Sequence, residues 1–174
     1  MTASMVLIEV LACVLLAAAI FDLASYTIPN LLNVAMFFLF ACFVVTMSLL
    51  GHPLSWSQLW PHLLAGVIAL FAGMAMFAAR WIGGGDAKLF AMACLWLGWD
   101  VLFQYAVLAS LFGGALTLGI LLLRRIPLPR FLIMQPWVAR LADTEAGVPY
   151  GVALAAAALI LLPETEVFHL AAIS

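Results

Sequence analysis

Gly83-Gly84-Gly85-Asp86 sets a carboxylate directly after three glycines, between hydrophobic runs whose length and continuity suit only membrane helices. Three residues without a Cβ let the chain bend sharply or let another segment approach closely. Irregular backbone at membrane depth survives only where protein or a water-filled cavity surrounds it. The stretch therefore predicts a hydrated pocket with an ionisable group inside.

The composition around it fits a membrane. Of 174 residues, 68% are hydrophobic and 8% charged, against roughly a quarter charged in a soluble domain, which excludes a soluble protein. The charge-free runs from Leu23 to Ala79 and from Val101 to Leu123 exceed the ~20 residues that span a hydrocarbon core. The first run crosses twice, because Gly51-His52-Pro53-Leu54-Ser55-Trp56-Ser57-Gln58 interrupts it with turn-forming residues. No basic patch suggests nucleic acid. Cys13, Cys42 and Cys94 stand singly in apolar segments without CxxC spacing, so they read as small buried apolar residues, and neither a metal site nor a disulfide framework is expected. The N-terminal run lacks a basic region, is interrupted by Glu9 and continues to Phe21, and so reads as a retained helix rather than a signal peptide.

The expected fold is an all-α integral membrane protein, a polytopic bundle of about six transmembrane helices over 4–22, 31–50, 60–82, 86–99, 101–123 and 148–169. The runs are too continuous for the ~10-residue alternating strands of a membrane barrel. Pro29 opens the second span well, since its missing amide hydrogen has no helical partner to lose there. A fourth span that starts at Asp86 covers only ~21 Å at 1.5 Å per residue, which puts the carboxylate below the interface.

All six Lys and Arg fall in the odd-numbered connections: Arg80 and Lys88 flank the third, and Arg124, Arg125, Arg130 and Arg140 occupy the fifth. The positive-inside rule then places these connections in the cytoplasm and both termini outside. Asp22 closes the first span and Asp86 follows the third, so two crossings separate them and both face the cytoplasmic side. The fifth connection, from Arg124 to Val148, is too rich in proline to be one regular helix. Its stretch Ile126-Pro127-Leu128-Pro129-Arg130-Phe131, with Trp137, suits an anionic membrane surface. The plain reading is a surface loop with topological charges, and the alternative is a lid over the acids.

A carboxylate buried in a membrane helix costs ~3 kcal/mol or more and usually faces a cavity or a functional path. Asp22 by itself reads equally as a helix-end acid at the interface, and Asp86 as a helix N-cap. Two acids on one side suggest a pair. Carboxyl groups that approach closely cannot comfortably both ionise, which provides an acid and a base at one pH. Such a dyad activates a water while polarising a scissile carbonyl, with no protein nucleophile. Ser25, Ser48, Ser55, Ser57 and Ser110 have no evident His and acid partners. Lys88 reads as a cytoplasmic anchor, with attraction to Asp86 as a second role. The tryptophans and tyrosines mostly lie near span ends, as aromatic belts do.

Three stretches resemble the type IV prepilin peptidases, a family of membrane aspartyl proteases. Phe21-Asp22-Leu23-Ala24-Ser25-Tyr26-Thr27-Ile28-Pro29-Asn30 resembles the family's first aspartate motif, Gly83-Gly84-Gly85-Asp86-Ala87-Lys88-Leu89 its GxGDxKL motif, and Val148-Pro149-Tyr150-Gly151-Val152-Ala153-Leu154 its Pro-aromatic-Gly motif. The resemblance implies that Asp22 and Asp86 are the catalytic pair, supported by Pro29, Asn30, Gly83, Gly84, Gly85, Lys88, Pro149, Tyr150 and Gly151, with no metal and no cofactor. The third motif is expected to pack against the active site. The implied substrate is a prepilin or pseudopilin whose short leader is cut in the cytoplasm after a glycine. The implied location is the bacterial cytoplasmic membrane, with lipid and pilus assembly machinery as the other partners.

The first aspartate comes only 22 residues into the chain, so residues 1–174 read as a single peptidase-like membrane domain without the family's N-terminal methyltransferase region. This short form resembles the peptidases of tight-adherence (Flp-type) pili, and archaeal preflagellin peptidases are also short. Two other classes compete: a small proton-coupled transporter or channel that uses Asp22 and Asp86, and a non-catalytic pilus-assembly factor.

Overall fold

The computed structural model describes residues 2–127 and 129–174, and of Arg130 the backbone. Leu128, within the basic and aromatic stretch, lies outside the described residues. The described chain is helical throughout, without a strand. Four helices are long and apolar enough to cross a membrane: α1 (Ala3–Ser25), α2 (Asn30–Leu49), α3 (Trp56–Ala78) and α5 (Leu102–Leu123). Between α3 and α5 lies α4 (Gly84–Leu97), and after α5 come two short helices, α6 (Arg130–Ile133) and α7 (Pro136–Ala142). The chain ends with α8 (Tyr150–Leu161), a 3-10 turn over Leu162–Glu164, and α9 (Glu166–Ile173).

The expected count of about six transmembrane helices is not confirmed, since four of the described helices have the length and hydropathy of a span and a bent pair could supply a fifth. At 14 residues, α4 is only ~21 Å long by its rise per residue. The expected sixth span over 148–169 is broken: its two halves bend by 51°, and together they count as one further span at most. Pro163 lies at the break, where it has no amide hydrogen to continue the helical ladder. Thr165 restarts the helix, its hydroxyl accepting from the Phe168 amide at 3.3 Å and donating to the Leu162 carbonyl at 2.6 Å.

The short α4 is the central element. Ala87, Leu89, Ala91 and the unbroken run Ala93 to Leu97 are buried, while α3, α2 and α8 pack around it. Gly73 lets α3 approach closely, since a Cβ there would stand 3.1 Å from that of Ala87. Gly98 ends α4 at φ +81°, where a Cβ would come within 2.9 Å of the His62 ring, so this stop demands glycine on two counts. The Trp96 indole donates to the Met36 carbonyl at 3.0 Å and meets the Phe40 ring edge-on. Trp96 and Tyr105 are thus core residues, not members of an aromatic belt.

The outer surfaces of the long helices carry large apolar side chains such as Leu31, Phe38, Phe71, Phe103 and Leu118, which suits a surface solvated by lipid. Cys13 and Cys42 lie on these faces and only Cys94 is buried. The expectation of three buried cysteines holds for one, because α1 and α2 are apolar on every side and hydropathy does not distinguish lipid from core. At one end of the bundle, Thr2 and Ser4 donate to the Ala171 carbonyl at 3.2 and 3.3 Å. This brings the start of α1 beside α9, at the end remote from Asp22.

Candidate active site

Asp22 sits in the last turn of α1 with 4% of its surface exposed. The helix stops four residues later because Tyr26 turns into the left-handed region at φ 55°, its amide donating to the Asp22 carbonyl at 2.8 Å. That conformation costs a side-chain-bearing residue about 1–2 kcal/mol, and it swings Thr27-Ile28-Pro29 back across the helix end. Burial pushes the Tyr26 phenol above its ordinary range, against the pull of the Arg124 guanidinium. The ring therefore stays neutral beside the carboxylate.

Asp86 occupies the third residue of α4, which starts at Gly84. It is not the N-cap: Gly83 holds that position, and the Asp86 carboxylate reaches back to accept from the Gly83 amide at 3.3 Å. This is the return arm of a capping box. A Cβ on Gly85 would lie 3.3 Å from that of Ile28, so the glycine run lets the turn after α1 pack against the start of α4. Lys88 locks the same junction, but through a partner other than the one expected. Its Nζ donates to Asn30 Oδ1 at 2.8 Å, tying α4 to the first turn of α2 instead of pairing with Asp86.

The third motif arrives from the far end of the chain. Pro149 is buried just before α8, and the Gly151 amide donates to Asp22 Oδ2 at 2.6 Å. A Cβ on Gly151 would come within 2.8 Å of both Asp22 Oδ2 and Ile28 Cδ1. Tyr150 turns the other way, its ring against Gly113 and its hydroxyl 3.2 Å from Thr117 Oγ1 on α5.

Asp22 and Asp86 line one cavity of about 270 Å³. Tyr26, Ile28 and Asn30 form one wall, and Gly83, Gly84 and Gly85 the other. The predicted residues thus divide. Asp22, Asp86, Asn30 and the three glycines reach the cavity directly, Gly151 and Lys88 act by hydrogen bonds, and Tyr150 borders an adjoining cavity that Asp86 shares. No cluster of three His, Cys, Asp or Glu occurs among the described residues.

Sequence reasoning missed Tyr26 and Arg124. The Arg124 guanidinium donates to the carbonyls of Leu141, Ala146 and Gly147 at 2.9, 2.8 and 3.1 Å, and Arg140 donates to the Ala24 carbonyl at 2.6 Å. Both read as topological charges because no sequence signal marks a guanidinium that bonds backbone carbonyls. They pin the fifth connection, which forms α6 and α7 in place of one regular helix, across the ends of α1 and α5.

The model of the type IV leader peptidase family matches residues 9–118, and so includes both aspartates. The chain belongs to this family. Two curated relatives are the "Prepilin leader peptidase/N-methyltransferase" of Aeromonas hydrophila and that of Aeromonas salmonicida (strain A449). Each is 32% identical over 113 aligned positions, covering 51% of this chain and 39% of the relative. The chain therefore matches well under half the length of either. No solved structure matches. The Val148 to Leu154 stretch falls beyond the region that the family model matches, and its place beside Asp22 rests on the fold alone.

Proposed function

We propose that this chain is an aspartyl endopeptidase that removes the short cytoplasmic leader of type IV prepilins or pseudopilins, with Asp22 and Asp86 as its catalytic pair. The observation that carries the reading is that the two carboxylates share one cavity although 63 residues (86 − 22 − 1) separate them in the chain. Family membership and the relatives' printed activity on prepilins support the substrate class.

In this mechanism one carboxylate, ionised, takes a proton from a water that attacks the scissile carbonyl carbon. The other, protonated, donates to the carbonyl oxygen. The tetrahedral intermediate collapses as the C–N bond breaks, and the dyad returns a proton to the leaving amine. The glycine run is bare enough for a peptide backbone to lie against it. The charge asymmetry supports a cytoplasmic side for both acids, where a leader would be presented.

The test is co-expression with a tagged Flp-type prepilin, with leader removal followed by mass. Removal by the intact chain but not by Asp22→Asn or Asp86→Asn upholds the reading. Removal by either variant, once its insertion is verified, overturns it.

A further inference from the structure

Tyr26 lines the cavity of Asp22 and Asp86, and its hydroxyl is buried without a hydrogen-bond partner among the described residues. A buried tyrosine usually finds a partner for its O–H, because a polar group left unpaired carries the full cost of its desolvation. The charges around the ring, those of Arg124, Asp22, Arg140 and Asp143, make no hydrogen bond with it. Other polar groups of this wall are engaged already. Asp22 Oδ2 accepts from the Gly151 amide, Asp86 Oδ2 from the Gly83 amide, and Asn30 Oδ1 from Lys88. Thr27 Oγ1 lies 2.8 Å from Ser25 Oγ. The Tyr26 O–H is thus an unused donor in a wall shared with two carboxylates.

The backbone gives a second, independent reason to look at this residue. Tyr26 has φ 55°, where glycine or asparagine would turn the chain at less cost. The turn by itself does not call for a tyrosine. Strained residues of this kind gather at active sites, where the surrounding fold holds them in place. Here the Tyr26 amide donates to the Asp22 carbonyl at 2.8 Å, so one turn fixes the carboxylate and the phenol relative to each other. We propose that Tyr26 is a third catalytic side chain, its hydroxyl donating to the oxygen of the peptide carbonyl on which Asp22 and Asp86 act. This rests on the peptidase reading above. Both carboxylates wall one cavity, so the peptide group that enters it is the one whose bond they break. Its oxygen gains negative charge as the tetrahedral intermediate forms, and a hydrogen bond to a charged oxygen is about twice as strong as one to a neutral oxygen. The donor therefore favours the transition state over the bound substrate. The hydroxyl keeps its proton throughout, and the proton that moves to the oxygen comes from the protonated aspartate.

The experiment compares the full chain with Tyr26→Phe in lipid nanodiscs, measuring kcat and KM for a tagged prepilin and the thermal unfolding of the same preparations. Phenylalanine keeps the ring and removes only the oxygen. The expected result is a fall in kcat of about 10²-fold, the lower end of the range for removing one oxyanion donor, with KM nearly unchanged. The unfolding temperature is expected not to fall, since the hydroxyl has no bond to lose. Unchanged cleavage by the variant overturns the proposal, as does a loss confined to KM. A lower unfolding temperature, or failure of the variant to insert, also overturns it, because the hydroxyl then serves a structural bond. Failure of the intact protein to cleave any prepilin would instead bring down the peptidase reading itself.

Discussion

The Gly151 amide donates to Asp22 Oδ2 at 2.6 Å, joining residues 129 apart in the chain. The contact orients a buried carboxylate that has no cation beside it among the described side chains, and it leaves no room for a Cβ at residue 151. Gly151→Ala is therefore expected to push Asp22 off its present position. A displacement of about 1 Å near a reacting centre costs on the order of 10²-fold in rate, while overpacking costs roughly 1–3 kcal/mol of stability. Leader cleavage and thermal unfolding of the same purified variant measure the two separately, and the account expects the loss of rate to dominate.

Lys88 bonds Asn30 rather than Asp86, so its removal loosens a junction without stripping the Asp86 carboxylate of a counter-ion. Lys88→Gln and Asn30→Ala should each reduce stability by about 1 kcal/mol and slow cleavage a few-fold. Because they break the same bond, the double variant should be little worse than either single one. Thermal unfolding of the three variants checks this, and additive losses would mean that the two side chains act apart.

Arg124 holds the carbonyls of Ala146 and Gly147 just ahead of the segment that meets Asp22. Arg124→Gln should free the fifth connection and weaken cleavage, and Arg124→Lys should restore little, because an ammonium cannot bond three carbonyls with a planar fork. Limited proteolysis within 125–147 reports the loosening, with faster nicking expected in both variants.

Orientation is open to chemical labelling. With Cys13, Cys42 and Cys94 replaced by Ala, a cysteine at Arg125 should react only with a probe that has access to the cytoplasm. One at Ser174 should react from the opposite side. Labelling of both positions from one side would refute the charge-based topology.

The sequence was legible where hydropathy and glycine carry the information. The long helices lie within a few residues of the expected spans, with α3 shifted most, from 60–82 to Trp56–Ala78. The two crossings between them anticipated that Asp22 and Asp86 would lie at one end of the bundle, and they line a common cavity. The break at Pro163 leaves no mark in the hydropathy of 148–169, because Glu164, Glu166 and His169 suit a helix end at the interface as well as they suit a bend. The partners of Lys88 and Arg124 were equally hidden. Pairing of a cation with a side-chain amide or with backbone carbonyls leaves no periodicity in the sequence and depends on where distant helices end. Tyr26 was hidden for a related reason, since nothing in its identity announces a left-handed turn.

The central claim, that Asp22 and Asp86 act as one unit on one bond, is tested most directly by kcat/KM for prepilin cleavage across the cycle of Asp22→Asn, Asp86→Asn and the double variant, all in the same lipid. Residues that act as a unit give single variants about as impaired as the double. The account predicts that each substitution alone lowers kcat/KM by about 10³-fold or more and that the second adds little. Substantial cleavage by either single variant, or losses that multiply in the double, would contradict it.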